Sequence, residues 1–490
     1  MSLMQPIYKG GDKSKADPAS YRGIYLSSAL AKLFEGILIC RLTKFTEAHS
    51  TLTENQLGTR PGRQIHDAIY CLLSLIQYNI SQRGLATYVA FCDFSTAFPS
   101  IHRGKLLSQL CKENIVGRMW KHLRERFHVV KVRVLHPRIP KSSSVNILRG
   151  VPEGSRLSPT LFGIFVADLI HELRAQFPNA TITHNGGVRW IGGILYVDDL
   201  CLISTDAHEL QRMINTCQTW SEKARMQLNA DKTKVMCFHE TTQARNARKR
   251  PRKVQGQKLW PASFHILSMF PDYTNPTDRP HQYPGFVSTL IQEVKQFDYL
   301  GLRLDPMMNM KAAVALILEK ANKGHSLALA VSYSLHYDKH HSNPTLCSSP
   351  VEMLNLWKSC VLPHFLLYLR YISDESQVKT LQASLNRSLS TTLHVYGHPT
   401  ALLADTGIPP LYITQNLQLA QLRFRLHSSP PNTIQHFLWH LWQPLLQVVP
   451  LNTLEDRMQT AICHVDPARR DPASPMPKNI NLAKTLNKEK

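Results

Sequence analysis

The chain has 490 residues, with 57 Lys+Arg against 35 Asp+Glu, so its formal net charge is +22. That length predicts two or three packed units rather than one. Such a basic protein favours a polyanionic partner, with nucleic acid the first candidate and an anionic membrane surface the second. The sequence contains no uncharged apolar run of 18 residues and no signal-peptide pattern, which excludes the membrane-spanning and secreted classes.

The ten cysteines are scattered, mostly within apolar stretches, and no two of them form a C-x-x-C pair. This distribution is typical of small core residues in a reducing compartment. We therefore expect an intracellular protein, in the nucleus, the cytoplasm or both, without a structural zinc site or a membrane partner.

The first two predicted elements are helices. Apolar residues recur at helical spacing over residues 20–45, which predicts one amphipathic helix, and a second helical stretch covers 66–80. Residues 86–92, rich in Thr, Tyr, Val and Phe, then predict a buried strand that ends at Asp93.

A second acidic strand end follows about a hundred residues later. Residues 193–197 predict a strand that stops at Asp198 and Asp199, and apolar residues resume at 200–203. A strand, two acids and another strand predict a tight hairpin with the acids at its tip.

Residues 239–284 hold a basic cluster between Arg245 and Lys253, then several prolines, without a sustained period. We interpret this stretch as a long surface insertion. The basic cluster is either a solvated loop, a nuclear-localisation signal or a nucleic-acid patch.

Beyond Asp305 the pattern becomes mostly helical, which predicts an α-helical unit over 305–466. Its predicted helices cover 310–333, 351–371, 377–393 and 412–426. The polar residues 467–490 predict a disordered tail.

If the two acidic strand ends meet, Asp93, Asp198 and Asp199 converge. Like charges that close do not all stay ionised unless cations lie among them. Mg²⁺ suits a few carboxylates, water and substrate phosphates, and two ions about 4 Å apart would activate a hydroxyl and stabilise a leaving pyrophosphate. A lone Asp-Asp pair is more often a solvated turn, so the interpretation depends on the accompanying motifs.

Those motifs occur in a fixed order over about the first 305 residues. They are YRGIYLS at 21–27, KLFE at 32–35, RL at 41–42, QLGTRPGR at 56–63, FCDFSTAF at 91–98, GVPEGSRLSP at 150–159, YVDD at 196–199, LN with KTK at 228–234, and FDYLG at 297–301. Together they resemble the blocks of non-LTR, LINE-like retrotransposon reverse transcriptases, including the polymerase YxDD box.

The resemblance implies an α+β fold of the right-hand polymerase type. Fingers and palm, with an antiparallel palm sheet, would occupy residues 1–304, and an α-helical thumb or C-terminal region would follow. The implied activity is RNA-directed DNA polymerisation with two Mg²⁺ ions, or Mn²⁺ in their place. Its partners would be an RNA template, a DNA primer or target DNA, and dNTPs.

The family's pattern also implies roles for individual residues. Asp93, Asp198 and Asp199 would hold the metal ions. Lys9 and Arg22 would meet the incoming triphosphate, although Lys9 is equally well a solvated loop charge. Further roles fall on the template or primer contacts Arg60, Arg63, Tyr299, Leu300 and Gly301.

Three other positions complete the implied site. Phe98 would lie under the deoxyribose and leave no room for a 2′-hydroxyl, whereas Gly154 would let the backbone approach the nucleotide. Lys232 would neutralise or protonate the departing pyrophosphate, with Lys234 as the competing candidate.

The sequence departs from the family's pattern where Glu153 replaces a nucleotide-binding Gln, which puts a carboxylate where an amide should donate a hydrogen bond. Thr59 and Pro99 are further departures. They favour an alternative in which the chain is a degenerate or domesticated relic that binds RNA or RNA/DNA hybrid without polymerising.

Two remaining features concern the chain's extent and its C-terminal half. No segment resembles the endonuclease or ribonuclease H of such elements, so we expect a fragment of a longer polyprotein. Asp405-Thr406-Gly407 resembles an aspartic protease box, but no strand precedes it, and we interpret it as the end of a helix.

Overall fold

The structure is a computed structural model that describes residues 2–11, 13–128, 130–135, 143–249, 252–254, 257–259, 264–268, 287–335, 349–395, 397–446 and 457. The chain divides into two compact units, Met1–Val294 and Lys295–Lys490. The division lies ten residues before the predicted boundary at 304, because the hairpin at 297–304 packs on a helix of the second unit.

In the described part of the chain, the two sheets of more than two strands both lie in the first unit. Its strands are β1 (Ser2–Tyr8), β2 (Tyr21–Leu26), β3 (Thr87–Cys92), β4 (Val130–Val134), β5 (Val145–Ile147), β6 (Thr181–His184), β7 (Gly187–Trp190), β8 (Gly193–Tyr196), β9 (Asp199–Ser204), β10 (Lys234–Phe238), β11 (Arg252–Val254), β12 (Gln257–Leu259), β13 (His265–Ser268), β14 (Val287–Leu290) and β15 (Gln292–Glu293). Its α-helices are α1 (Ala29–Ala48), α2 (Ile65–Arg83), α3 (Ala97–Ser100), α4 (Arg103–Lys112), α5 (Gly117–His128), α6 (Ser158–Gln176), α7 (Ala207–Ala224) and α8 (Thr242–Lys249).

The central sheet has the strand order β15-β10-β3-β9-β8. All its pairings are antiparallel except the short one between β10 and β15. Every residue of β3 is buried. One face of the sheet shares a core with α6 and α7, and helix α2 contacts β3 and β8. The predicted α+β fold with a mainly antiparallel sheet is confirmed.

A second sheet, β2-β1-β4-β5, corrects the first predicted helix. Residues 21–26 are a strand that pairs with β1, and the helix begins only at Ala29, after Ser28 accepts a hydrogen bond from the Ala31 amide. Pairing with a partner strand overrides the local apolar spacing. Leu30 and Leu33 are 79% and 66% exposed, so the periodicity there did not indicate a buried face.

The other predicted elements of this unit are placed as follows. Helix 66–80 is confirmed as α2 and strand 86–92 as β3, whereas strand 193–197 ends one residue early, at Tyr196. The interpretation of 239–284 as a surface insertion is wrong for Phe264 and Ile266, which are buried in the core. Residues 250–251, 255–256, 260–263 and 269–284 of that stretch lie outside the described residues.

The second unit is helical. It contains β16 (Phe297–Tyr299), β17 (Leu302–Leu304), α9 (Lys311–Leu335), α10 (Pro350–Cys360), α11 (Leu362–Leu366), α12 (Glu375–Leu393), α13 (Pro399–Thr406), α14 (Leu411–His427) and α15 (Ile434–Leu446). Its core includes the buried Trp357, Trp439 and Trp442. The predicted tail at 467–490 lies outside the described residues.

The helix predictions in this unit are confirmed except for one division. Residues 351–371 form two α-helices and a short 3₁₀ turn, since Pro363 lies at the start of α11 and does not continue the preceding helix. Asp405-Thr406-Gly407 ends α13, with Gly407 in the left-handed conformation at φ 67°. Within the described part of the chain, no helix is both long and apolar enough to cross a bilayer.

Candidate active site

The β8–β9 hairpin brings two of the predicted acids to one end of the central sheet. Tyr196 pairs with Asp199, so Val197 and Asp198 form the two-residue turn. Val197 has φ 61°, a left-handed conformation that is a genuine outlier for a β-branched residue. The turn therefore needs support from outside its own sequence.

Asp93 follows β3 at the same end of the sheet. Cys92 pairs with Leu200 in the antiparallel register, which places Asp93 across from Asp199 at the next position. The Asp93 amide donates to the Thr233 hydroxyl at 3.3 Å, and the Asp93 carbonyl accepts from the Asn229 amide at 2.8 Å. The predicted meeting of the two acidic strand ends is present.

The three carboxyl groups influence one another's ionisation. Desolvation at the end of the sheet, followed by the charges of Asp198 and Asp93, raises the pKa of Asp199 to about 6. Burial is also the largest cause that raises the pKa of Asp198; Asp93 raises it further, whereas a backbone hydrogen bond, Arg22 and Lys232 lower it. A site that disfavours its own negative charges in this way favours a bound cation.

Lys232 is the basic residue that contacts this acid cluster. Its Nζ donates to Asp93 Oδ2 at 3.3 Å. The Lys234 Nζ instead donates to Gln292 Oε1 at 3.0 Å, at the far strand of the sheet. Of the two candidates that the sequence left open, Lys232 is therefore the one that contacts the acids in this structure.

The donor set fits Mg²⁺, because all its side-chain atoms are carboxylate oxygens. The oxygens of the three aspartates do not all lie within 4.8 Å of one another, so a bound ion would have to draw them together. Among the described residues, Cys237, Glu240 and Glu293 do meet that criterion. There, however, Glu240 already accepts from Arg245 at 3.2 Å.

The predicted nucleotide contacts gather beside the acids. Burial raises the pKa of Glu153, Asp198 raises it further, and the charges of Arg22 and Lys9 lower it. The Lys9 Nζ donates to the Ala19 carbonyl at 2.8 Å. Two of the predicted cations and the substituted glutamate therefore share one neighbourhood with the catalytic candidate Asp198.

The glycine block lies against β2 and α3. Gly154 has φ 99°, and a Cβ there would lie 2.9 Å from the Tyr25 carbonyl oxygen, so only glycine fits. The Val151 amide donates to the Phe98 carbonyl at 3.0 Å. The half-buried Phe98 ring packs 5.2 Å from the Phe162 ring, which fits both a core residue and a nucleotide contact.

Sequence comparison identifies the family. The profile of the reverse transcriptase (RNA-dependent DNA polymerase) family matches residues 12–304, more than half of the chain. The chain belongs to this family. Its LINE-like character, predicted from the motif order, is confirmed by similarity to retroelement polymerases.

Two relatives from Drosophila melanogaster illustrate the similarity. The probable RNA-directed DNA polymerase from transposon BS is 29% identical over 249 residues, which cover 49% of this chain and 26% of that protein. The RNA-directed DNA polymerase from mobile element jockey is 26% identical over 249 residues, with 48% and 25% covered. The chain thus spans about a quarter of the length of these curated relatives.

Solved structures are more distant. Apo telomerase from Candida tropicalis aligns with 8% identity and a TM-score of 0.39, covering 86% of this chain and 66% of that one. The family assignment therefore depends on the sequence match.

The predicted template arginines of this reverse transcriptase differ in their contacts. Arg60 donates bidentately to Glu47, with both distances 2.8 Å, and to the Thr53 carbonyl at 2.9 Å. Its side chain is only 8% exposed. These contacts bind Arg60 to the segment that precedes it. Arg63 is half-buried, and burial followed by the charge of Arg60 lowers its pKa to about 10.

The FDYLG block forms the β16–β17 hairpin of the second unit. Leu300 and Gly301 are its turn, with φ values of 48° and 87°. The Tyr368 hydroxyl donates to the Leu300 carbonyl. Tyr299 is 2% exposed, so its side chain is a core residue in this structure, and the turn of Leu300 and Gly301 is the part of the predicted contact that remains accessible.

Sequence reasoning missed two residues that hold the palm site. The buried Glu35 accepts from the Ser155 hydroxyl and the Arg156 amide, both at 3.0 Å, and pairs with Arg126. Gln56 contacts Val197. Both residues lie within quoted motif blocks, but only tertiary contacts show what they do.

Proposed function

We propose that this chain is the polymerase segment of a non-LTR retroelement protein that copies RNA into DNA by adding dNTPs to a primer 3′-hydroxyl. The observation that carries the proposal is the β3–β9 register, which brings Asp93 to the hairpin of Asp198 and Asp199. The names of the relatives, which are RNA-directed DNA polymerases, support the same reaction.

Asp93, Asp198 and Asp199 would hold two Mg²⁺ ions, with Mn²⁺ as a substitute. When bound, such ions lower the pKa of the attacking hydroxyl and stabilise the leaving pyrophosphate. The raised pKa values of Asp198 and Asp199 support a site whose carboxylates require positive charge.

The basic side chains around the acids would bind the phosphate groups of the substrate and of the leaving pyrophosphate. Arg22 and Lys9 would orient the triphosphate, which places the reacting phosphorus in line with the hydroxyl. Lys232, now paired with Asp93, would turn to the pyrophosphate and donate a proton from Nζ as it leaves. Phe98 would exclude a 2′-hydroxyl, so that dNTPs are preferred over ribonucleotides.

Glu153 is the departure that most affects this proposal. A carboxylate accepts hydrogen bonds only, but its protonated form donates one, as an amide does. Burial raises the pKa of Glu153, which enlarges the donating fraction at a given pH. We therefore propose that Glu153 tunes the reaction to lower pH rather than abolishing it.

The proposed macromolecular partners are an RNA template and a DNA primer or target DNA, in the nucleus, the cytoplasm or both. The net charge of +22 supports a polyanionic ligand held largely through its backbone. Arg63 remains the proposed template contact. Arg60 is instead proposed to hold the loop before it, and the backbone of Leu300 and Gly301 to meet the primer.

Primer extension on an RNA template with Mg²⁺ tests the proposal, with Asp198→Asn as the matched control. Extension by the parent and none by the control is the expected result. Hybrid binding without extension by the parent would instead favour the non-polymerising relic that Glu153, Thr59 and Pro99 suggest. Glu153→Gln in such a silent parent would then show whether that substitution is the lesion.

A further inference from the structure

The turn that carries Asp198 is held by a buried glutamine on a neighbouring segment. Gln56 is 2% exposed. Its Oε1 accepts from the Val197 amide at 3.0 Å, and its Nε2 donates to the Val197 carbonyl at 3.2 Å. Both peptide groups that flank the left-handed residue are therefore bound by one side-chain amide.

The segment around Gln56 is itself fixed to the edge of the palm sheet. The Leu57 amide donates to the Leu195 carbonyl at 2.8 Å, and the Leu195 amide donates to the Asn55 carbonyl at 2.9 Å. Asn55 Nδ2 donates to the Gly193 carbonyl at 2.7 Å. These bonds place the Gln56 amide against the turn independently of the bonds that it makes to Val197.

Close approach of the two segments requires Gly58. A Cβ at that position would overlap the backbone nitrogen and the side chain of Val197. The Gly58 amide also donates to Gln56 Oε1 at 3.0 Å, which fixes the orientation of the glutamine amide. With three hydrogen bonds, the clamp of Gln56 and Gly58 has a single orientation.

We propose that Gln56 is a positioning residue of the polymerase, whose amide holds Val197 in the left-handed conformation and so directs the Asp198 carboxylate toward the metal ions. The Val197 carbonyl belongs to the peptide that links Val197 to Asp198, and its orientation sets the direction in which the Asp198 side chain leaves the chain. Groups that orient metal ligands commonly change metal affinity or activity by roughly 10- to 100-fold. The inference rests on the proposed metal-dependent function.

The test compares Gln56→Met with Gln109→Met. Both remove a buried glutamine amide. Gln109, however, is 7% exposed and lies in α4, where it donates to Glu113, the residue that follows the helix. Mn²⁺ binding by electron paramagnetic resonance is measured first, with Asp198→Asn as reference, followed by extension kinetics. We expect Gln56→Met to weaken Mn²⁺ binding and lower kcat by about 10-fold or more, with KM for dNTP and hybrid affinity changed less than about threefold.

A second background separates positioning from folding. Glycine adopts the left-handed region freely, so Val197→Gly removes the strain that Gln56 is proposed to hold. In that background, the factor by which Gln56→Met weakens Mn²⁺ binding should be at least three times smaller than in the parent. It also keeps the comparison measurable should Gln56→Met alone fail to fold.

Equal Mn²⁺ binding by Gln56→Met and Gln109→Met would overturn the inference, as would a loss of the same size in the Val197→Gly background. A parent that binds Mn²⁺ but does not extend a primer would contradict the proposed polymerase function alone, and the Mn²⁺ comparison would still decide the role of Gln56. A parent without Mn²⁺ binding would overturn both.

Discussion

Two hairpins of this chain have turn residues in the left-handed conformation, and they stabilise it in different ways. The β16–β17 turn has positive φ at both Leu300 and Gly301, with glycine at its second position, which is the pattern that favours a two-residue hairpin. The β8–β9 turn has Val197 in the left-handed region without any glycine. The first turn is encoded locally, whereas the second depends on Gln56, so backbone strain lies where the proposed chemistry occurs.

The largest expected effect comes from removing a charge from the strained turn. Asp198→Asn should lower primer extension by about 1,000-fold or more, because metal ions contribute several kcal/mol to the stabilisation of the transition state. Steady-state extension on an RNA template measures it. Near-parent activity with intact Mg²⁺ dependence would contradict the assignment of Asp198.

A methyl group added at Gly58, which faces the same turn, should have the next largest effect. Gly58→Ala displaces Val197, since the added Cβ overlaps its backbone nitrogen. We expect kcat to fall on the order of 100-fold, as for a misplacement of about 1 Å. Circular dichroism should show an unchanged helix content, and an unchanged kcat would mean that the turn tolerates displacement.

The equivalent change in the locally encoded turn should affect stability rather than metal binding. Gly301→Ala puts a Cβ into the Tyr368 hydroxyl at φ 87°, which should destabilise the helical unit by about 1–3 kcal/mol. Urea unfolding gives the free energy, and Mn²⁺ binding is the control. A loss of Mn²⁺ binding in this variant would break the distinction between the two hairpins.

Loss of the hydrogen bond that Tyr368 makes to the β16–β17 turn should reduce the free energy of unfolding by a smaller amount. Tyr368→Phe removes the hydroxyl that donates to the Leu300 carbonyl, at a cost of about 1 kcal/mol. Thr391→Val is the control, because it removes an exposed hydroxyl that donates to the Arg387 carbonyl at 2.8 Å within α12. A Tyr368→Phe cost of several kcal/mol would show that this turn also depends on tertiary contacts.

The smallest expected effect is a pH-dependent stability. The pKa of Asp199 is about 6, above its ordinary value of 3.8, so the protonated carboxyl favours the folded state. The contribution of this group to the free energy of unfolding is fully present at low pH and is lost as pH rises through about 6. Because Asp199 is exposed to solvent, which screens its charge, Asp199→Asn should raise the Tm of metal-free protein by no more than about 1 °C at pH 8 and leave it unchanged at pH 4. Adding Mg²⁺ should stabilise the parent more than the variant.

The palm site was largely predictable because its signal is local. A buried apolar run that ends in an acid predicts a strand and the acid that follows it, and Asp93 follows β3 in this way; Asp199 instead begins β9. The β8–β9 hairpin followed from the same local pattern, whereas the pairing of β3 with β9 was a condition that the sequence left open. Four helical stretches of the second unit were predictable for the same reason, since their apolar spacing matches the period of a helix, whereas α15 and the start of α13 were not predicted.

Contacts between distant residues were not predictable. Arg60 is bound by Glu47, thirteen residues earlier, and nothing in the spacing of the two distinguishes this pair from an exposed template arginine. The left-handed Val197 depends on Gln56, 141 residues away. Residues 21–26 resembled the start of a helix because apolar spacing over a few residues does not separate a paired strand from a helix.

The central claim is that Asp93, Asp198 and Asp199 together hold the catalytic ions. Anomalous diffraction from crystals soaked in Mn²⁺ with a primer-template hybrid and a non-hydrolysable dNTP measures this most directly. We predict two peaks about 4 Å apart, with oxygens of Asp93 and Asp198 as shared ligands. Peaks elsewhere, or carboxylates of Asp93 and Asp198 held more than about 10 Å apart, too far to share a two-ion site, would contradict the account.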